Sequence, residues 1–121
     1  MNVGFIIVYV DNVAASEAFY ASILGRPAVD SSPTFAMLPA APGLMLGLWR
    51  RDGVSPSATS GGGGEIAFPV DNDAAVDAKF ADWSGRGVRI ALRPTRLDFG
   101  YSFVGLDPDG QRLRVFAPAP N

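Results

Sequence analysis

The side chains that most often carry out catalysis or bind metals are missing from this chain. Its 121 residues include no histidine and no cysteine. That composition removes the commonest general base, the commonest metal ligand, thiolate chemistry and disulfides. Among the carboxylates, Asp107 and Asp109 stand in the sequence Asp-Pro-Asp-Gly, which is typical of a tight turn rather than of a catalytic pair. Any chemistry must therefore come from single carboxylates, arginines and aromatic side chains.

A second polar motif occurs twice and reveals an internal repeat. The sequence Val-Asp-Asn-Val-Ala-Ala at residues 10–15 returns as Val-Asp-Asn-Asp-Ala-Ala at residues 70–75. The same offset, without a gap, aligns Gly4 with Gly64 and Arg26 with Arg86. Because an apolar helical pattern follows each Asp-Asn pair, we interpret these residues as helix N-caps. A repeat of half a small domain predicts two copies of one supersecondary unit.

Composition narrows the class of protein. The chain is 48% hydrophobic with a formal net charge of −2, which suits one folded domain. Its arginines are scattered rather than clustered in a basic stripe, so we expect no nucleic-acid partner. No apolar run approaches the length of a membrane span, and the first ten residues lack the pattern of a signal peptide. We expect a cytoplasmic protein with no membrane contact.

Module one, residues 1–50, has the predicted order βαβββ. Val3–Val10 is a continuous apolar run, which favours a strand buried on both faces. An amphipathic helix is expected to begin at Asp11 or Asn12 and to end at Gly25, with Pro27 preventing its continuation. Turn-forming residues separate the three remaining predicted strands, which are Pro27–Ser31, Thr34–Leu38 and Leu44–Arg50.

Module two, residues 65–121, repeats that order after a Gly/Ser/Pro-rich linker at residues 51–64. A strand over Glu65–Val70 precedes a helix in which Val76, Phe80 and Trp83 form an apolar stripe, so we interpret Trp83 as a core residue. The last three predicted strands are Val88–Leu92, Tyr101–Leu106 and Arg112–Phe116. The fold class is therefore α+β, a single domain at residues 1–121 built from two modules.

These motifs resemble the vicinal oxygen chelate superfamily, which includes glyoxalase I, extradiol dioxygenases, fosfomycin-resistance enzymes and bleomycin-type antibiotic-binding proteins. The resemblance rests on residues 10–20 with Leu24-Gly25, on Asp107-Pro108-Asp109-Gly110, and on the repeat, and it covers nearly the whole chain. It implies that each βαβββ module forms a half-barrel and that the pair encloses a cleft. It also implies a homodimer, with modules paired within one chain or exchanged between chains.

Metal enzymes of this superfamily place their ligands on the first and last strands of each module. The positions of this chain that match are Phe5 and Gly47 in module one and Glu65 and Arg114 in module two. One carboxylate beside a guanidinium is a poor donor set for a divalent cation. We therefore expect no metal and no other cofactor.

Strand alternation predicts which side chains line the cleft. If Phe5 faces inward, so do Ile7 and Tyr9, and the same count places Met45, Ala67 and Phe116 inward. Gly47 and Ala67 are expected to leave room for a ligand. Aromatic residues on other strands supply further candidate stacking partners. The candidate ligand-binding residues are Phe5, Ile7, Tyr9, Phe35, Gly47, Trp49, Glu65, Tyr101, Phe103 and Arg114.

The function expected from these features is binding without chemistry. A mostly apolar concavity with a few polar groups suits a small planar aromatic ligand, such as an antibiotic or a secondary metabolite, that the protein would sequester. One alternative is a lyase, isomerase or dioxygenase that uses Glu65 as a general base or holds a metal at other positions. Another is a dimer whose cleft is filled by its own side chains. Glu65 and Arg114 are either ligand contacts, an ion pair, or both.

Overall fold

The computed structural model describes residues 1–59 and 64–119, and the chain divides into two compact units, Met1–Gly61 and Gly62–Asn121. Among the described residues, each unit contains one α-helix and one four-stranded mixed sheet. The α+β class and the predicted element order are confirmed in both units. Neither helix among the described residues is long and apolar enough to cross a membrane.

The elements of unit 1 are β1 (Phe5–Val10), α1 (Val13–Leu24), β2 (Asp30–Ser31), β3 (Phe35–Ala41) and β4 (Leu44–Arg50). Its sheet has the order β1-β4-β3-β2, with β1 parallel to β4 and the other pairs antiparallel. Asn12 caps the start of the helix, since its side-chain oxygen accepts a hydrogen bond from the Ala15 amide at 3.0 Å, and Gly25 ends it at φ 73°. The helix packs on β3 and β4.

The elements of unit 2 are β5 (Glu65–Pro69), α2 (Asp73–Gly85), β6 (Arg89–Leu97), β7 (Gly100–Leu106) and β8 (Arg112–Pro118). They repeat the topology of unit 1 in the order β5-β8-β7-β6, with β5 parallel to β8. Asn72 caps the helix as Asn12 does in unit 1, accepting from the Ala75 amide at 2.9 Å. The turn before the last strand is held by Asp107, whose carboxylate accepts from the backbone amides of Asp109 and Gln111, each at 2.8 Å.

Each core lies between the helix and one face of its sheet. In unit 1, Tyr20 of the helix is fully buried with apolar side chains of β3 and β4. In unit 2, the Trp83 ring lies 5.9 Å from the Phe68 ring and 5.2 Å from the Phe103 ring, both edge to face. A Cβ at Gly105 would come within 3.0 Å of the Trp83 ring, so glycine there makes room for the indole. The prediction that Trp83 is a core residue is confirmed.

The prediction that the first strand is buried on both faces is wrong. It is an edge strand, in which Phe5 is 48% exposed, Ile6 42% and Ile7 44%. At the start of the predicted linker, Arg51–Gly53 form a 3-10 turn and Val54 is buried. The central part of the predicted linker, residues 60–63, lies outside the described residues.

Candidate functional site

Each sheet has one face that its helix does not cover. In unit 1, Leu46 and Leu48 of β4 are buried on the side of α1. The alternate residues of β4 therefore point to the opposite side, and the residues paired with them in register share that side. We call this set face 1; its members are Phe5, Ile7, Tyr9, Phe35, Met37, Pro39, Met45, Gly47 and Trp49.

Trp49 is the centre of an aromatic group on face 1. Its ring lies 6.4 Å from the ring of Tyr9 and 6.3 Å from that of Phe35, with interplanar angles of 83° and 78°. These are edge-to-face contacts, which stabilise aromatic groups while leaving ring surface available. Tyr9 remains 37% exposed. Face 1 thus presents an apolar surface rich in aromatic rings.

The sequence suggested that Gly47 leaves open space for a ligand, but the structure shows that this space on face 1 is occupied. A Cβ at this position would lie 2.9 Å from Cζ of Phe35 and 3.2 Å from Cγ1 of Ile7. The room made by the missing side chain is already filled by these two neighbours. Glycine at position 47 therefore serves the packing of Phe35 across the strand rather than a ligand directly.

The corresponding surface of unit 2 carries polar groups. Phe68 and Leu113 pack on the helix side, so the alternate residues of β5 and β8, and the β7 residues paired with them, lie on the uncovered side. The turn between β6 and β7 adds one ring, since Phe99 lies 6.2 Å from the ring of Phe116. We call this set face 2; its members are Glu65, Ala67, Pro69, Phe99, Gly100, Ser102, Val104, Leu106, Arg112, Arg114, Phe116 and Pro118.

Arg114 connects two other polar members of face 2, Glu65 and Ser102. Its Nε donates to both carboxylate oxygens of Glu65, at 3.0 and 3.2 Å, and its Nη1 donates to the Ser102 hydroxyl at 3.0 Å. The guanidinium carbon also lies 5.5 Å from the centre of the Phe99 ring. The side chain of Arg114 is 15% exposed and that of Glu65 is 34% exposed. The two residues therefore form a partly buried ion pair within unit 2.

The family's metal positions do not fit a divalent cation in this chain. Phe5 and Gly47 offer no side-chain donor, and both oxygens of Glu65 already face the Arg114 guanidinium. A cation beside Glu65 would meet a fixed positive charge. Within residues 1–59 and 64–119, no group of three or more His, Cys, Asp or Glu side chains is placed to hold a metal.

Tyr101 and Phe103 lie on the wrong side of their strand to join these faces, which corrects the prediction that they line the ligand cleft. Phe103 is fully buried, and its ring lies 5.5 Å from that of Phe80 on α2. Tyr101 donates its hydroxyl to the Asp77 carboxylate of the same helix at 2.8 Å. That hydrogen bond, followed by desolvation, raises the pKa of Tyr101 above its ordinary 10.0. Both residues attach the sheet to α2.

Sequence reasoning overlooked Phe99 and Ser102. Ser102 pairs with Phe116 across β7 and β8, so both lie on face 2. Extending the alternation from β8 to its partner strand β7 identifies Ser102. The prediction instead chose the aromatic residues of β7, which lie on the opposite face. Phe99 lies in a turn, where alternation gives no information. Its position follows from the backbone hydrogen bond that the Ala119 amide donates to the Phe99 carbonyl at 2.8 Å.

Comparison with known proteins yields one family match and several related proteins. Residues 2–115 match the model of the Glyoxalase/Bleomycin resistance protein/Dioxygenase superfamily. The phenazine antibiotic resistance protein EhpR of Enterobacter agglomerans is 29% identical over 112 residues, which cover 90% of this chain and 86% of EhpR.

Solved structures with the same fold are also found. The solution structure of protein ATC0852 from Agrobacterium tumefaciens is 48% identical, covers 99% of both chains and has a TM-score of 0.86. A glyoxalase/bleomycin resistance protein/dioxygenase family enzyme from Burkholderia phytofirmans PsJN is 22% identical, with a TM-score of 0.83 over 98% of this chain and 100% of that one. The second similarity concerns the fold alone.

Proposed function

The chain belongs to the glyoxalase/bleomycin resistance protein/dioxygenase superfamily, and on that premise we propose that it is a metal-free binding protein that sequesters a planar aromatic small molecule. The ligand is an antibiotic or secondary metabolite, with fused-ring compounds of the phenazine type as the first candidates. The observation that carries this proposal is the group of aromatic side chains on face 1, where Trp49 contacts Tyr9 and Phe35 on the side of the unit 1 sheet opposite α1.

Face 1 has the properties that binding of a flat apolar molecule requires. Its rings are fixed by edge-to-face contacts, so little side-chain entropy is lost when a ligand stacks on them. Phe5 and Ile7 beside them are nearly half exposed, and covering them would remove apolar surface from water. An exposed apolar patch of this kind on a folded unit commonly marks a binding surface.

Face 2 supports binding rather than catalysis. The one carboxylate at a family ligand position, Glu65, is engaged by Arg114, which leaves it poorly placed to accept a proton from a substrate. The Phe99 and Phe116 rings nevertheless provide an aromatic surface beside a hydrogen-bonded polar group. Such a combination orients a planar ligand that has a polar substituent.

The relationship to EhpR supports the choice of ligand class. EhpR is named as a phenazine antibiotic resistance protein, and the two sequences align over most of both chains. Phenazine is a flat, fused three-ring aromatic compound, which suits stacking on the side chains of face 1. Sequestration of such a compound would require no cofactor.

A fluorescence titration tests this proposal. The chain has two tryptophans, Trp49 on face 1 and Trp83 in the core of unit 2, so a Trp83→Phe variant reports Trp49 alone. We expect saturable quenching of that variant by phenazine. We also expect Trp49→Phe to weaken the affinity measured by calorimetry by about three- to tenfold, the value of one aromatic contact. If the folded wild-type protein binds neither phenazine nor any of a panel of quinones in a saturable way, the proposal is wrong.

We also propose that the protein is a homodimer in which a second copy covers β1. The support is the exposed edge strand of unit 1, where Ile6, on the side opposite face 1, is 42% exposed. Exposed apolar edge strands are otherwise prone to aggregation. Light scattering should give twice the chain mass, and Ile6→Lys should shift the protein toward monomer. A monomeric mass for the wild type at micromolar concentration would contradict this.

A further inference from the structure

We infer that Glu65 makes face 2 selective for uncharged ligands by neutralising Arg114, so that the anionic form of a planar aromatic compound binds less well than its neutral counterpart. The inference rests on the proposed binding function and adds the chemical class of the ligand. It assigns Glu65 and Arg114 the roles of specificity determinants, with no part in bond making.

The first support is the way in which the donors of Arg114 are used. Arginine recognises a carboxylate best through two parallel N–H donors. Here Nε is directed to Glu65 and Nη1 to the hydroxyl of Ser102, a residue that is itself fully buried. A carboxylate on the ligand would have to compete with the Glu65 carboxylate at Nε for the side-on edge formed by Nε and Nη2, and with a fixed hydroxyl at Nη1.

The second support is the order in which an approaching ligand meets the two charges. Glu65 is 34% exposed and Arg114 only 15%, so the negative member of the pair is the more accessible one. Charges within a few ångströms of each other at a partly desolvated surface interact strongly enough to change an affinity by an order of magnitude. An anionic substituent near this pair therefore gains little from Arg114 and is repelled by Glu65.

The third support is the packing of the guanidinium plane. Phe99 lies over the guanidinium carbon at 5.5 Å and also contacts Phe116. Arg114 is thus built into an aromatic layer, and its flat surface is suited to stacking on an uncharged ring. Arg112 lies next to Glu65 in register on the neighbouring strand and is exposed, so water screens its charge more strongly.

The test compares two ligands of nearly identical shape and different charge, phenazine-1-carboxamide and phenazine-1-carboxylate, at neutral pH and low salt. Glu65→Gln keeps an oxygen that can accept from Arg114 but removes the negative charge. We expect the wild type to prefer the amide. The variant should shift the ratio of the two dissociation constants toward the carboxylate by on the order of tenfold, and added salt should reduce this shift.

Two further variants serve as controls. Arg114→Gln leaves Glu65 unpaired and should shift the ratio in the opposite direction, toward the amide. Arg112→Met removes an exposed positive charge without altering the ion pair and should change the ratio much less than Glu65→Gln does. Circular dichroism establishes that each variant is folded before its affinities are compared.

The outcomes separate this inference from the proposed function. If both compounds bind but Glu65→Gln leaves their ratio within twofold of the wild-type value, the charge selectivity is wrong and the binding function stands. An equal effect of Arg112→Met would also overturn the inference, because it would show that only the total charge of the surface matters. If neither compound binds to the wild type or to Glu65→Gln, the proposed function itself fails.

Discussion

Face 1 and face 2 occupy equivalent positions in two units of the same topology, yet their side chains differ in kind. Gly47 is the register partner of Ile7 in unit 1, and Arg114 is the register partner of the equivalent residue, Ala67, in unit 2. Where unit 1 packs a phenylalanine ring over a glycine, unit 2 places an arginine held by Glu65. The two units therefore share their strand order, while the side chains on the faces opposite the helices differ.

Under the proposed function, each face contributes to ligand recognition in its own way. Face 1 offers apolar area and rings, which provide affinity for flat molecules without regard to their polar groups. Face 2 contains a polar pair of fixed geometry, which distinguishes one substituent from another. Affinity and selectivity are thus separable by mutation, and the following predictions use that separation.

The largest expected effect distinguishes the two tryptophans. Trp83 is packed between Phe68 and Phe103, so Trp83→Ala should lower the free energy of unfolding by about 3–5 kcal/mol. Urea denaturation followed by far-ultraviolet circular dichroism measures this. Trp49→Phe, on face 1, should cost less than about 1 kcal/mol. Equal losses for the two variants would show that Trp49 is a core residue and that face 1 is not a free surface.

A smaller effect is expected at Gly47, a position at which unit 1 has a glycine and unit 2 has Arg114. Gly47→Ala would place a Cβ against the Phe35 ring and should cost about 1–3 kcal/mol. The rings around Trp49 should shift with it, which changes the near-ultraviolet circular dichroism. The control is Ala67→Gly at the equivalent region of face 2, where removing a methyl group should leave the tryptophan spectrum unchanged. An unaltered spectrum in Gly47→Ala would contradict the tight packing on face 1.

The ion pair should matter less for stability than for selectivity. Because Glu65 is one-third exposed, Arg114→Met should reduce the free energy of unfolding by only about 1 kcal/mol, a value discounted for solvent screening. Chemical denaturation provides the measurement. A loss above about 3 kcal/mol would show that the pair behaves as a fully buried one and is mainly structural.

The smallest effect concerns the helix-covered side of unit 2. The Asp77 carboxylate favours the neutral phenol of Tyr101, so the pKa of Tyr101 is raised and this contribution to stability is lost as the pH rises through the raised pKa. Asp77→Asn should lower that pKa toward 10, as seen by ultraviolet titration of the phenolate. Ligand affinity should not change. A weaker affinity in Asp77→Asn would place Tyr101 in the binding surface after all.

Much of the scaffold was predictable because local signals determined it. The two Asn caps and the Asp107 turn depend on hydrogen bonds within a few residues, and the caps and the turn form where they were expected. The repeat then determined the order of elements in both units. The ligand positions implied by the family resemblance also placed Glu65 and Arg114 on one face, where they meet at 3.0 Å.

The errors arose where the outcome depends on pairing between strands. The strand before β7 was predicted to end at Leu92, two residues before Pro94. It continues to Leu97 since β6 is the edge of its sheet, where proline is tolerated. The face of Tyr101 likewise follows from its register partner Ala117 rather than from its aromatic character. The exposure of β1 depends on its edge position, which an apolar run does not reveal.

A map of amide chemical-shift changes, recorded on adding phenazine to isotope-labelled protein, locates the ligand on the structure. We expect the changes to be concentrated on face 1 and face 2, at residues such as Ile7, Trp49, Phe99 and Arg114. Residues on the opposite side of the same sheets, including Phe103 beneath α2, should be nearly unaffected. Changes centred on the helices, or no saturable changes at all, would show that these faces do not bind a planar aromatic ligand.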